Sequence, residues 1–382
     1  MWNERRDSLF IGLELLVVAV CIWFAVDSLY IAYERFSLPA GFDINHTYYV
    51  QLGVISQNSP DYVGQSEESL EGGASFLTIL DRLKQHPDVE AVCYTSTNHF
   101  HYRWSNQYTT FQLDTLSRPR GFVRDVGSSY FTLFQVKPAD GGDPQLLADA
   151  LDKGEIVINK SVAEMFFGSA ANAIGKEISC QDQGSSEPTF YRIGGVAENQ
   201  RYNEFSDYNY AYYRPVHLSD ILKTTNTGIV YELPLFIRIK ATADKKGFAE
   251  SFRKEMSSQL KIGNIYLKEV DLMADRRKEH IRSWIDEMRM NIAVVTFFLL
   301  NAFLGVIGTF WLRTQQKRGE IGLRMALGAT HSSIFRLLLS QGIVLLLAAF
   351  ILAILIFGNL WLADIITAAT WVNTYQRLFT GM

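Results

Sequence analysis

The chain has 382 residues, 48% of them hydrophobic, with a mean hydropathy near zero. That balance is too apolar for a simple water-soluble enzyme and too polar for a bare bundle of membrane spans. A net charge of −4 without a clustered basic face argues against nucleic acid as a partner. Of the cysteines Cys21, Cys93 and Cys180, only Cys93 and Cys180 lie in water-soluble sequence. They are too few for a disulfide framework, and one bridge between them is the most an oxidising compartment would permit.

Apolar residues concentrate at the two ends. Residues 1–36 hold a first membrane span, Leu9 to Tyr33, long enough to cross the hydrocarbon core with some tilt. The run exceeds a signal-peptide core and no small-residue cleavage site follows it, so it reads as a retained anchor. Glu14 and Asp27 fall near its ends, and Trp2, Trp23, Tyr30 and Tyr33 suit the interfaces.

Residues 37–272 read as a large extracytoplasmic domain. His46 to Ser56 alternates as a strand; Gly73 to Gln85 puts Phe76, Leu77, Leu80 and Leu83 on one helical stripe before Pro87; Val89 to Thr95 is a second strand. A matching late unit comprises a strand at Leu233 to Lys240, a helix at Lys246 to Leu260 and a strand at Asn264 to Val270. Packed together, the two units predict a ferredoxin-like α+β porter part. The stretch between them, about 100–230, reads as a β-rich insertion. In it Ile156 to Ile158 is extended, Asn159 or Ser161 caps a helix, and Val162, Met165 and Phe166 face a core. Gly194-Gly195 inside a strand pattern marks a bulge or a close backbone approach. Tyr208, Tyr210, Tyr212 and Tyr213 form either a partner surface or core packing.

Residues 273–312 combine a charged helical stretch with a second span, Asn291 to Leu312, in which Gly305 and Gly308 permit close helix approach. No Gly or Pro separates the two parts, which predicts one rigid stalk carrying Arg282, Trp284 and Met288. The loop 313–333 holds Arg313, Lys317, Arg318 and Arg324, so the positive-inside rule places it in the cytoplasm together with Arg5 and Arg6. Within it Arg318, Glu320, Arg324 and the turn Met325-Ala326-Leu327 predict a short amphipathic helix, with Gly328 just past its end and Thr330 or Ser332 opening the next helix. A third span covers 334–362, and 363–382 returns to the outside.

The sequence contains no GxxxxGK[ST], HExxH or GxSxG pattern, so the chain predicts no catalyst and no ATP site of its own. His99 and His101 share a strand face, but no third metal ligand accompanies them.

YFTLFQVKPADGG, VINKSVAEMFFG, AIGKEI and YRIGGVAENQRY, followed after a span by KRGEIGLRMALGAT, together resemble the MacB/FtsX-type permease family of ABC transporters. The resemblance covers essentially the whole chain, and its last motif is the most specific. It implies transmembrane helices flanking a periplasmic domain with a porter-like part and a β-rich part, in a bacterial inner-membrane protein. It further implies a dimeric ATPase partner carrying ATP and Mg, no cofactor in this chain, and a second permease, identical or related. A periplasmic adaptor or outer-membrane channel and membrane lipid complete the implied partners. Arg318, Glu320, Arg324, Met325, Ala326, Leu327 and Gly328 then correspond to a coupling helix that docks on the ATPase, whereas a helix resting on anionic headgroups is the plainer alternative. Force transmission for export or extraction is the implied activity; the FtsX branch offers regulation of a cell-wall hydrolase without transport. The family has four spans, which leaves two expectations for 363–382: either the sequence stops short of a last helix, or this final stretch enters the membrane differently.

Overall fold

The computed structural model describes residues 36–64, 71–95, 101–102, 107–201, 208–216 and 233–336, with isolated positions beyond them at both ends. Most of the expected first and third spans, all of 363–382, Cys21 and His99 lie outside the described residues. The chain divides into two compact units, one of Met1–Ser37 with Trp284–Met382 and one of Leu38–Ser283.

The second unit begins with β1 (Thr47–Val54), α1 (Glu71–Gln85) and β2 (Val89–Tyr94). A hairpin of β3 (Gln107–Leu113) and β4 (Leu116–Val126) follows, then α2 (Tyr130–Leu133) and α3 (Gln145–Asp152). Next come β5 (Ile156–Asn159), α4 (Lys160–Phe167), α5 (Ala170–Ala173), β6 (Glu177–Asp182), β7 (Thr189–Ala197) and β8 (Ala211–Pro215). The chain then forms β9 (Leu235–Ile239), α6 (Phe248–Met256) and β10 (Ile265–Leu272), and α7 (Met273–Gln316) follows directly.

A four-stranded sheet runs in the order β10-β1-β9-β2 with every neighbouring pair antiparallel. Each strand-helix-strand unit skips one strand: α1 joins β1 to β2 across β9, and α6 joins β9 to β10 across β1. This is the ferredoxin-like arrangement, and the period-2 pattern of β1 explains it. Tyr48, Val50 and Leu52 face the helices, where they meet Phe76, Ile79, Leu83, Phe252 and Met256. Each such side chain, fully buried, stabilises the fold by about 1.5–3 kcal/mol relative to exposure.

The opposite face is also covered. Tyr49, Cys93 and Phe236 pack against Tyr130, Phe131 and Phe134 of the α2 region and against Tyr213 of β8. The insertion itself closes into a six-stranded barrel, β3-β4-β8-β5-β7-β6, in which β4·β8 and β5·β7 are parallel. Its interior is filled by Phe111, Val123, Ile158, Ile178, Ile193 and Tyr212, among others. Tyr212 and Tyr213 therefore serve two different cores from adjacent positions, as a strand's alternation demands, and neither is available as a partner surface.

Local chemistry sets the insertion's joints. Asn159 caps α4 by accepting from the Val162 amide, and the helix stops at Gly168, whose φ of 79° is left-handed. Val162 and Phe166 reach the core as their i, i+4 spacing requires, but Met165 is exposed, because Ala163 takes the neighbouring inward position. The register between β5 and β7 shifts so that Gly194 is the extra residue of a bulge. A Cβ there would come within 2.8 Å of the Ala150 Cβ of α3, so the glycine also permits a close approach. Cys93 and Cys180 are free thiols buried in separate cores, so the bridge the sequence allowed is not formed.

Candidate functional site

The second unit grips the chain where α7 leaves it. β10 passes into α7 without a loop, and Met273, the first helical residue, is fully buried. Arg276 donates from Nη1 to Asp271 Oδ2 at 2.6 Å, and its guanidinium lies 4.2 Å from the centroid of Tyr49. One turn on, buried His280 lies with its ring centroid 5.9 Å from that of Tyr102.

The segment entering the unit is held as firmly. The Arg201 amide donates to Ala40 O at 3.0 Å, and its guanidinium donates to the carbonyls of Leu38 and Pro39. Tyr208 Oη donates to Pro39 O at 3.1 Å. Arg238 pairs with Asp43 at 2.7 Å and donates to Leu133 O.

Along α7, Arg282 is exposed whereas Trp284 and Met288 are half-buried. Exposed pairs at i, i+3, Lys278 with Asp275 and Arg289 with Asp286, contribute only tenths of a kcal/mol. Beyond Asn291 the helix is apolar on every side, with Phe297, Phe298, Leu300, Phe303, Leu304 and Trp311 exposed on the isolated chain. Its polar members turn inward: Thr296 Oγ1 donates to Ile292 O and Asn301 Nδ2 to Phe297 O. A helix apolar all round is stable only where lipid or protein covers it. Among the described residues, one helical stretch, Met273–Gly305, is long and apolar enough to cross a membrane.

After Lys317 the chain forms α8 (Arg318–Ala326). Glu320 accepts from Arg324 Nη2 at 2.6 Å across one turn, in the favourable order of acid before base. Leu327 is the C-cap. Gly328, at φ 97°, donates to Met325 O, while Ala329 N donates to Arg324 O, and the two bonds make a Schellman closure. Of the two openings the sequence left for the next helix, Thr330 is used, its Oγ1 accepting from the Ser333 amide. No residue of α8 is buried, and Leu323 and Leu327, 64% and 81% exposed, form an i, i+4 apolar pair that no described residue covers.

The sequence profile of the MacB-like periplasmic core domain matches residues 24–255, and that of the FtsX-like permease C-terminal region matches 292–378. The chain belongs to the MacB/FtsX-type ABC transporter permease family. A curated relative is the macrolide export ATP-binding/permease protein MacB of Rhodopseudomonas palustris (strain HaA2), 27% identical over 229 residues that make up 59% of this chain and 33% of that protein. The chain thus spans about a third of the length of the curated relative it matches. Solved structures similar to it include the periplasmic region of MacB from Actinobacillus actinomycetemcomitans, at 15% identity and a TM-score of 0.35, covering 65% of this chain and 98% of that one. The extracellular domain of the ABC-type transporter YknZ from Gram-positive bacteria is similar at 15% identity and a TM-score of 0.33, covering 58% of this chain and 100% of that one.

On this MacB/FtsX-type chain, Arg318 to Gly328 are gathered on one short helix and its cap, and Arg282, Trp284 and Met288 on α7. Sequence reasoning missed Leu323, although its spacing from Leu327 was readable. It also missed the anchors of the α7 root, since nothing in the sequence of Arg276 brings it to Tyr49. Among the described residues no three His, Cys, Asp or Glu side chains converge as metal ligands, and His101 Nε2 instead meets Tyr130 Oη at 2.8 Å.

Proposed function

We propose that this chain is the permease subunit of an ABC transporter that works by mechanotransmission in a bacterial inner membrane, its outer unit in the periplasm. A separate, dimeric ATPase binds and hydrolyses ATP with Mg. Its closure pushes α8, α7 carries the displacement, and the outer unit moves a substrate that has already left the cytoplasm. A second permease, identical or related, completes the membrane part, and a periplasmic adaptor or outer-membrane channel receives the substrate.

The observation that carries this reading is α7 itself: 44 helical residues without a break, rooted in the sheet at Met273 and ending one residue before α8. A helix transmits displacement along its axis because every internal turn is closed by backbone hydrogen bonds. The exposed Leu323 and Leu327 beside the Glu320–Arg324 pair give α8 the apolar face and flanking charge that helix-in-groove docking uses. The chemistry of the cycle is assigned to the partner, since no residue of this chain is given a catalytic role.

Cysteine placed at Leu327 tests the docking step in membranes containing the cognate ATPase. The proposal expects a disulfide to cysteines lining the ATPase groove, formed more readily in the nucleotide-free state than in the vanadate-trapped one. Equal labelling of that cysteine by a lipid-phase probe, with no cross-link to ATPase in either state, would leave α8 as a membrane-surface helix and defeat the proposal.

A further inference from the structure

Between the entering segment and the root of α7 lies a buried polar group that no carboxylate among the described residues balances. Arg124 of β4 is 4% exposed, its Nε has no hydrogen-bond partner, and among the described residues no carboxylate pairs with it. Arginine does not shed its proton in proteins, so a buried guanidinium must be matched by an anion or carry a large desolvation penalty.

The surroundings set the chemistry that would match it. Tyr213 stands opposite Arg124 in the parallel β4·β8 register, and its ring centroid is 5.7 Å from that of Tyr130. Tyr130 Oη lies 2.8 Å from both His101 Nε2 and Gln200 Oε1. Its single proton goes to Gln200 Oε1, so His101 Nε2 carries hydrogen and donates to Tyr130. Gln200 therefore turns its amide nitrogen away from the tyrosine. Four buried polar atoms of this group lack partners: Arg124 Nε, Gln200 Nε2, Tyr213 Oη and His101 Nδ1. The first two can only donate, the hydroxyl can donate, and His101 Nδ1 alone is limited to accepting. Burial, and after it the nearby Arg124 charge, hold the His101 pKa well below 6.5, so the imidazole is neutral and adds no second cation.

We infer that Arg124, Gln200 and Tyr213 form a binding site for a single monovalent anion of the chloride type. One guanidinium matches one negative charge, and the remaining first contacts are neutral donors, so a dianion such as phosphate would remain uncompensated. The neighbours of His101 are aromatic: Phe42 stacks on it at 3.6 Å, and Tyr102, beside it in sequence, approaches His280 of α7. An anion here ties the entering segment, the barrel and the α7 root to one centre, so its occupancy governs how firmly that root is held.

The test uses the full chain purified in detergent, unfolded thermally in sodium chloride and in sodium gluconate at equal ionic strength. A ligand bound only by the folded state raises Tm saturably. Chloride is expected to do so for the wild type and to have no effect on Arg124→Met. Tyr213→Phe, which keeps the packed ring and removes one donor, is expected to need roughly tenfold more chloride. Bromide is expected to give anomalous density beside Arg124 Nε. Identical Tm values in the two salts for the wild type, with water alone at the site after bromide exchange, would overturn the inference. If Arg124→Met does not fold, Tyr213→Phe and the bromide density decide the matter on the same terms.

Discussion

A proline at Ser283 isolates the mechanical role proposed for α7 from the integrity of everything it connects. Ser283 is exposed, so its replacement removes no packed side chain. The proline deletes the amide that bonds to the carbonyl four residues earlier, at Glu279, and sets its ring against that carbonyl, at a cost of about 3 kcal/mol or more. Such a penalty shifts the balance between straight and broken helix by roughly 100-fold. The anchors Met273, Arg276 and His280 precede the break, and the cores of the outer unit are untouched. Melting of the outer unit is therefore expected to stay within about 2 °C of wild type, while backbone amides near the proline exchange up to roughly 100-fold faster. In nanodiscs with the ATPase, basal hydrolysis should persist and nucleotide-dependent movement of the outer unit should be lost, with Ser283→Ala behaving as wild type. If Ser283→Pro shows the increased exchange yet moves its outer unit as the wild type does, α7 is not the transmitting element.

Other consequences are equally concrete. Tyr130→Phe strands His101 Nε2 and Gln200 Oε1 in a buried setting, which costs about 1–3 kcal/mol and should lower the thermal midpoint of the outer unit by roughly 2–10 °C in a calorimetric scan. Gly328→Ala meets no neighbouring atom within 4 Å, so its cost is the left-handed backbone alone; about 1 kcal/mol should appear as roughly fivefold faster amide exchange over the last turn of α8. Leu323→Asp and Leu327→Asp bury nothing in the isolated chain and should leave its melting unchanged, yet weaken ATPase co-purification at least about tenfold; undiminished pull-down would remove these leucines from the docking face. Burial pushes the Cys93 thiol up to about 12 and raises that of Cys180 as well. Because a raised pKa leaves the neutral thiol dominant at all lower pH, both cysteines should resist maleimide at pH 8 in a Cys21→Ser background until the protein is unfolded.

Much of the porter part was legible because its signals are local. Phe76, Leu80 and Leu83 mark one helical stripe, and the alternation of β1 separates Tyr48 from Tyr49 before any contact is known. The Gly194-Gly195 pair and Gly328 were readable for a similar reason, since a bulge or a helix stop is a demand of the backbone at one place. The barrel order was not readable: β4 pairs in parallel with β8, far along the chain, and neither strand carries a mark of the other. Met165 was misassigned because a four-residue stripe admits two neighbouring inward positions and only the packed partner decides between them. The Arg124 group was invisible for a related reason. Its members come from β4, the α2 region, β8 and the stretch around Gln200, and burial, which makes the charge costly, is a property of the assembled fold.

The α8 residues stand differently. Their helical period and their glycine stop follow from the sequence, but the sequence of this chain does not say what meets Leu323 and Leu327.

Pulsed electron spin resonance on a complex of this chain with its ATPase, carrying labels at Lys254, an exposed residue of α6, in each permease copy, reaches the central claim most directly. Transmission along α7 predicts a change in the interlabel distance distribution between the nucleotide-free and vanadate-trapped states, present in the wild type and absent in Ser283→Pro. Superimposable distributions in the two states of the wild type, with hydrolysis intact, would contradict it.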